Sequence, residues 1–179
     1  MLCHRVLRAI KTVFQSSKTV DSETWNVLLQ TLLSILDAVL NRPAKSDDFS
    51  DIISKGLLSA FFELWLVVCQ RFFPSAVYWR TFSQMNRTWW HRLPVVEEWL
   101  RTVLLLHDYV QHAVAETEVD FRSFPQDSSI KSIIASLDQE LLIQTFMRIL
   151  LLTNDPSDIV NKKPSIIAPS RQKVPQVIF

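Results

Sequence analysis

The chain has 179 residues, nearly half of them apolar, and a formal net charge of +1. That is enough chain for one domain with a substantial core, and too little for two of ordinary size. A near-neutral balance gives no electrostatic footprint for nucleic acid, and a single glycine excludes the usual phosphate-cradling loops, dinucleotide fingerprints and nucleophile elbows, which all need several.

Leu2 to about Gln15 reads as an amphipathic helix. Leu2, Cys3, Val6, Leu7, Ile10, Val13 and Phe14 recur at three- and four-residue spacing, with Arg5, Arg8, Lys11 and Gln15 mainly opposite. No capping residue precedes Leu2, so the chain is expected to begin inside an element, as a fragment does. Asp21 or Ser22 can cap a second helix with Glu23 in its first turn. Trp25, Leu28, Leu29, Leu32, Leu36, Val39 and Leu40 form its apolar face, and it ends near Asn41, before Arg42-Pro43.

Asp47 or Asp48 can cap a third helix running to Phe72 or Phe73. It is apolar on nearly every side except a narrow row, Lys55, Ser59, Glu63 and Gln70, which predicts a central helix covered by neighbours. Its unbroken apolar run, Leu64 to Cys69, falls far short of the roughly 20 residues of a membrane span, so no transmembrane segment is expected. Pro74 stops it. Ser75 can cap a fourth helix from Ala76 to Trp90, with Tyr78, Phe82, Met85 and Trp89 on one face and Trp79, Asn86 and Trp90 on another. Pro94 suits the first turn of a fifth, whose expected buried stripe is Val96, Trp99, Leu100, Val103, His107, Val110 and Val114. Glu116 to Ser129 reads as a loop. Ser136 and Gln139 form a capping-box pair for a last helix, Leu137 to Thr153.

Half of all the prolines, Pro156, Pro164, Pro169 and Pro175, fall after Asn154. The expected organisation is therefore a helical scaffold domain over 1–153 and a Pro-rich extended linker over 154–179. The fold class is all-α, an irregular helical bundle or a short α-solenoid of the HEAT or armadillo kind, with about six helices. Glu-x-Trp recurs at Glu23-Trp25, Glu63-Trp65 and Glu97-Trp99; it is either a helical repeat or coincidence among tryptophans.

No catalytic constellation stands out. Asp108, His112 and Glu116 have the spacing of metal ligands on one helix face, but with no cysteine nearby and no second ligand pair the spacing reads as a solvated i,i+4 charge network. His107 is expected in the core. His91, beside Trp89, Trp90 and Arg92, would line either a binding groove or a packed corner, and the shared face with Tyr78, Phe82 and Met85 favours packing. Arg87, Arg92 and Arg101 are interrupted by Glu97 and Glu98 and make no lipid or nucleic-acid patch. Cys3 and Cys69, far apart in apolar patterns, fit reduced thiols in an intracellular compartment. No cofactor or metal is assigned. Trp25, Trp65, Tyr78, Trp79, Phe82, Trp89, Trp90 and Trp99 are the structural core or candidate interface.

The order of landmarks is specific: Glu23-Thr24-Trp25, Phe62-Glu63-Leu64-Trp65-Leu66, Cys69, Phe73-Pro74, Tyr78-Trp79, Pro94-Val95-Val96-Glu97 and Trp99. In this order the chain resembles the N-terminal helical region of the β subunit of Ral GTPase-activating protein complexes, weakening across 115–134 and after Val160. The resemblance implies a piece of a much longer, non-catalytic, cytoplasmic subunit. Its implied partners are the catalytic α subunit and, through it, a Ral small GTPase. The family's catalytic asparagine belongs to the α subunit's C-terminal domain, which has no counterpart here, so none of Asn26, Asn41, Asn86, Asn154 or Asn161 takes that role. The alternative is a stand-alone interaction module that binds a partner helix.

Overall fold

The computed structural model describes residues 21–41, 48–115 and 128–153, together with the helical positions Ala9 and Thr12. Within them lie six helices and no strand: α1 Ser22–Leu40, α2 Asp48–Arg71, α3 Ala76–Trp89, α4 Leu93–Ala115, α5 Ser128–Ala135 and α6 Gln139–Leu150. The all-α expectation holds. Apart from Ala9 and Thr12, the expected first helix lies outside the described residues, as do Asp47, Glu116 and the whole 154–179 segment.

Helix α1 starts where Asp21 accepts a hydrogen bond from the Thr24 amide at 3.1 Å. Hydrogen bonding from the Thr24 side chain, and then from its amide, lowers the Asp21 carboxyl from its ordinary value. Trp25, Leu29, Leu32, Leu33, Leu36 and Leu40 are buried, the face expected from their spacing, with Leu33 added.

Helix α2 is the axis of the fold. Phe61 to Cys69 are buried without a break, and α1, α4, α5 and α6 all pack on this one helix. Helices far apart in sequence thus share one core, which makes the architecture an irregular bundle; in a solenoid each unit meets only its neighbours. The stretch Ile53–Arg71 is long and apolar enough to cross a membrane by length and composition, but 72% of its most apolar window is buried inside the protein. Packing within the bundle therefore accounts for its hydrophobicity. Of its narrow polar row, Lys55 and Gln70 are exposed while Glu63 is buried.

The end of α2 carries an unusual residue. Phe72 and Phe73 both donate to the Val68 carbonyl, at 2.8 and 3.0 Å, and Phe73 has φ of 44°. This left-handed terminus is normally a glycine position. Phe73 occupies it with its ring packed on Trp79 at 6.0 Å between centroids, and Pro74 prevents the helix from continuing. The only glycine, Gly56, sits in ordinary helical backbone inside α2.

The packed helices run in both relative directions. Arg71 at the end of α2 stacks over Trp25 at the start of α1, so these two are antiparallel. Lys55 meets Glu97 at 3.6 Å and Ser59 meets Arg101 at 3.1 Å, so α4 runs parallel to α2. Trp99 Nε1 donates to the Ile149 carbonyl at 2.9 Å, and His107 packs near Phe146, so α6 runs antiparallel to α4.

Three expectations are corrected. The last helical region is two helices: Ser136 Oγ bonds back to Ile133 at the end of α5, and Asp138 caps α6 by accepting from the Leu141 amide at 2.8 Å. The Ser136–Gln139 box therefore does not form, and the region read as loop up to Ser129 gives way to α5 at Ser128. On α4 the buried residues are Val95, Glu98, Thr102, Val103, Leu105, Leu106 and Tyr109. Of the expected stripe only Val103 is buried; Leu100, His107 and Val114 are exposed and the rest partly covered. This helix is apolar on most of its circumference, so periodicity alone could not set its phase. On α3 the buried set is Trp79, Phe82, Asn86 and Trp89, with Tyr78 and Met85 at the edge.

Candidate functional site

The eight aromatic residues singled out in the sequence divide into three groups. Trp25, Trp65, Trp79, Phe82 and Trp89 are buried. Tyr78 and Trp99 are partly buried against the core. Trp90 is 36% exposed.

Trp65, Trp79 and Phe82 of the buried group make one ring cluster between α2 and α3. Trp65 lies 4.6 Å from Phe82, 5.1 Å from Trp79 and 5.4 Å from Phe61, centroid to centroid. Phe82 also meets Phe61 at 5.0 Å and Phe62 at 5.5 Å, both edge-on. Edge-to-face and tilted contacts of this kind add to area burial, about 0.5–1.5 kcal/mol per pair. Two tryptophans also act as polar ties. Trp89 Nε1 donates to Asp37 Oδ1 at 2.9 Å, linking α3 to α1, and Trp99 links α4 to α6. The Trp90 ring stands edge-on to Trp99 at 5.3 Å, at the corner where α3 turns into α4. No groove lined by Trp89, Trp90 and His91 is formed: Trp89 points into the core, and His91 Nδ1 lies 2.9 Å from the Thr88 carbonyl of its own turn.

Charged groups are also used for packing. Arg92 is buried, and its Nε donates to the Leu40 carbonyl at the end of α1. Glu98 is buried and paired with Arg101, which also reaches Ser59 of α2. Asp108 and His112 face each other at 3.6 Å along α4; the third residue of that candidate metal set, Glu116, is outside the described residues. Burial pushes the Cys69 thiol well above its ordinary value, so Cys69 is un-ionised at neutral pH and behaves as an apolar side chain. The repeat reading of Glu-x-Trp finds no shared environment, since Glu23 and Glu97 are exposed while Glu63 is buried.

Asn86 is fully buried on α3, and neither atom of its carboxamide is hydrogen-bonded. An unpaired buried amide costs on the order of 1–3 kcal/mol. Asn86→Leu, which keeps the branched shape and removes the polar atoms, is therefore expected to stabilise the chain by about 1 kcal/mol. A rise in the urea midpoint checks this; a fall would mean that the amide is satisfied in solution.

Sequence reasoning missed a set of exposed apolar side chains on α4 and α6. Leu93, Leu100 and Leu104 on α4 and Ile143 and Met147 on α6 are all exposed. Their spacing on α4, seven and four, was visible, but it was indistinguishable from the spacing of a buried stripe until the packing of α2 set the phase.

Fold and site together define an all-helical packing domain in which aromatic and charged residues tie helices to each other. The comparison with protein families makes this specific: the model of the RALGAPB N-terminal domain matches residues 1–117, and the chain belongs to that family. It is 33% identical over 168 residues to the human Ral GTPase-activating protein subunit beta and 32% identical to the rat protein, each match covering 93% of this chain. A Rap-GAP domain-containing protein of Dictyostelium discoideum is 27% identical over 94% of the chain. The chain spans about a tenth of the length of these curated relatives. No solved structure gives a significant match.

Proposed function

We propose that this chain is a non-catalytic scaffold segment of a Ral GTPase-activating protein complex, supporting activation of a Ral small GTPase without performing it. One observation carries the reading: a family match to the N-terminal domain of the beta subunit across most of the described helices. The structure is consistent with it, because the residues most suited to chemistry serve packing. Glu98 and Arg101 pair with each other, Arg92 holds the end of α1, and Cys69 is buried and protonated. On this reading residues 1–153 are the scaffold unit and 154–179 a linker. The working location is cytoplasmic, and the partner is the catalytic α subunit.

The test is a GTP-hydrolysis assay with purified Ral. The chain alone is expected to leave the rate unchanged, and it is expected to co-purify with the α subunit when the two are expressed together. Acceleration by the chain alone would overturn the non-catalytic reading. The second reading, a stand-alone module that binds a partner helix, is favoured by the exposed apolar face of α4 and α6.

A further inference from the structure

Helix α3 differs from its neighbours in how it begins. Asp21 and Asp138 cap α1 and α6 by accepting from the amides three residues on, and each of those helices has an acid in its first turn. Ser75 stands at the same position before α3 with extended backbone, but its side chain makes no capping bond, and no acid follows in the first turn. Two residues earlier, Phe73 holds its left-handed φ of 44°, a conformation that costs free energy for a residue with a Cβ. Most residues from Ala76 to Trp89 are β-branched, aromatic or short and polar, types that favour a helix less than Leu, Glu or Lys do.

Its inner face is imperfectly matched as well. Asn86 is buried with both amide atoms unpaired, and the indole N–H groups of Trp79 and of Trp65, facing it on α2, are buried without an acceptor. Each of these groups gains a hydrogen bond to water if α3 leaves α2. The helix is also peripheral. Helices α1, α4, α5 and α6 pack closely on α2 and keep those contacts without it, whereas α3 lies along α1 and reaches α2 through rings. Side-chain contacts hold it in place: Trp79 and Phe82 on the rings of α2, Trp89 on Asp37, and Ser83 on the Leu152 carbonyl at 3.3 Å. All of them are lost together when the helix detaches, which makes the opening cooperative.

We propose that α3 is a detachable cover: it leaves the bundle as one unit while α1, α2, α4, α5 and α6 stay folded, and so uncovers the rings of Phe61, Phe62 and Trp65 on α2. Amide hydrogen exchange of the full chain in low urea, resolved by residue with NMR, tests it. The amides of α3 are expected to share one protection factor, at least about tenfold below that of the slowest amides of α2. Their exchange is expected to depend less on urea, because a partial opening exposes less surface than global unfolding. Ile130→Val separates the two events. Ile130 is fully buried on α5, which packs on α2 and α4. Its truncation is expected to speed exchange in α2 about two- to tenfold through lower global stability, and to leave α3 unchanged. Ser75→Asp supplies the missing cap and is expected to slow exchange in α3 about threefold or more. Both substitutions are mild, and helical circular dichroism confirms that each variant is folded. Equal protection of α3 and α2 overturns the proposal, as does an α3 that speeds up together with α2 in Ile130→Val. Exchange that proceeds from one end of α3 with no common urea dependence, or that ignores Ser75→Asp, also overturns it.

Discussion

Trp65→Ala is expected to destabilise the chain by about 3–5 kcal/mol, the usual cost of deleting a large aromatic side chain from a core. Trp65 is completely buried, touching rings on its own helix and on α3. Its indole N–H makes no hydrogen bond, so the loss is one of packing alone. Single domains are held by about 5–15 kcal/mol in all, so this one change removes a large part of the total. Urea denaturation followed by circular dichroism measures it, and Trp65→Phe provides the scale. Phenylalanine keeps most of the ring contacts and is expected to lose well under half as much. A midpoint unmoved by Trp65→Ala would mean that α2 and α3 do not meet as described.

The second large effect is expected at Arg101. Its guanidinium pairs with Glu98, whose side chain is 8% exposed, and bonds Ser59 across the interface with α2. Arg101→Ala leaves the Glu98 carboxylate buried without this partner. Breaking a buried pair from one side costs about 3–5 kcal/mol, and because Arg101 is itself a quarter exposed, water softens the loss to about 2–3 kcal/mol. Removing both charges together, as Arg101→Met with Glu98→Leu, is expected to recover most of the stability, since a well-packed apolar pair replaces a buried ion pair at little cost. A double-mutant cycle from urea midpoints checks this. Additive single and double effects would show that Glu98 and Arg101 are not coupled.

The parts of the fold that were legible in the sequence are those with one dominant local signal. Asp21 before Thr24, the apolar spacing from Trp25 to Leu40, and Pro74 after Phe73 each leave the backbone few alternatives. The thin polar row of α2 also identified the central helix, because a helix with so little polar surface must be covered by others. Reading failed where two local signals competed. Ser136 and Asp138 both precede the last helix, and the serine and Gln139 match the capping box; Asp138 takes the cap because Ser136 is already bound to Ile133 at the end of α5. His107 has apolar neighbours on α4, but its helix is oriented so that Tyr109, two residues on, faces inward and donates to the Lys131 carbonyl of α5.

The candidate site divides in the same way. That the tryptophans were mostly core followed from their sharing helix faces with other large apolar residues. Which of them stayed at the surface did not, and Trp90 is exposed because it closes the corner between α3 and α4 instead of continuing the buried face of α3.

By itself the sequence determined that this protein is all helical, where most of its helices begin and end, and to which family it belongs. Those properties rest on spacing, capping residues, prolines and the order of landmarks, all of which act over a few residues at a time. Only the tertiary structure decided the rotation of α4 about its own axis, the burial of Glu98 with Arg101, and the exposure of Leu100, Leu104, Ile143 and Met147. A helix apolar on most sides gains similar free energy from burying any of them. The choice is made by the neighbour that arrives from elsewhere in the chain, here α2, whose Ser59 engages Arg101 and so turns the remaining leucines outward.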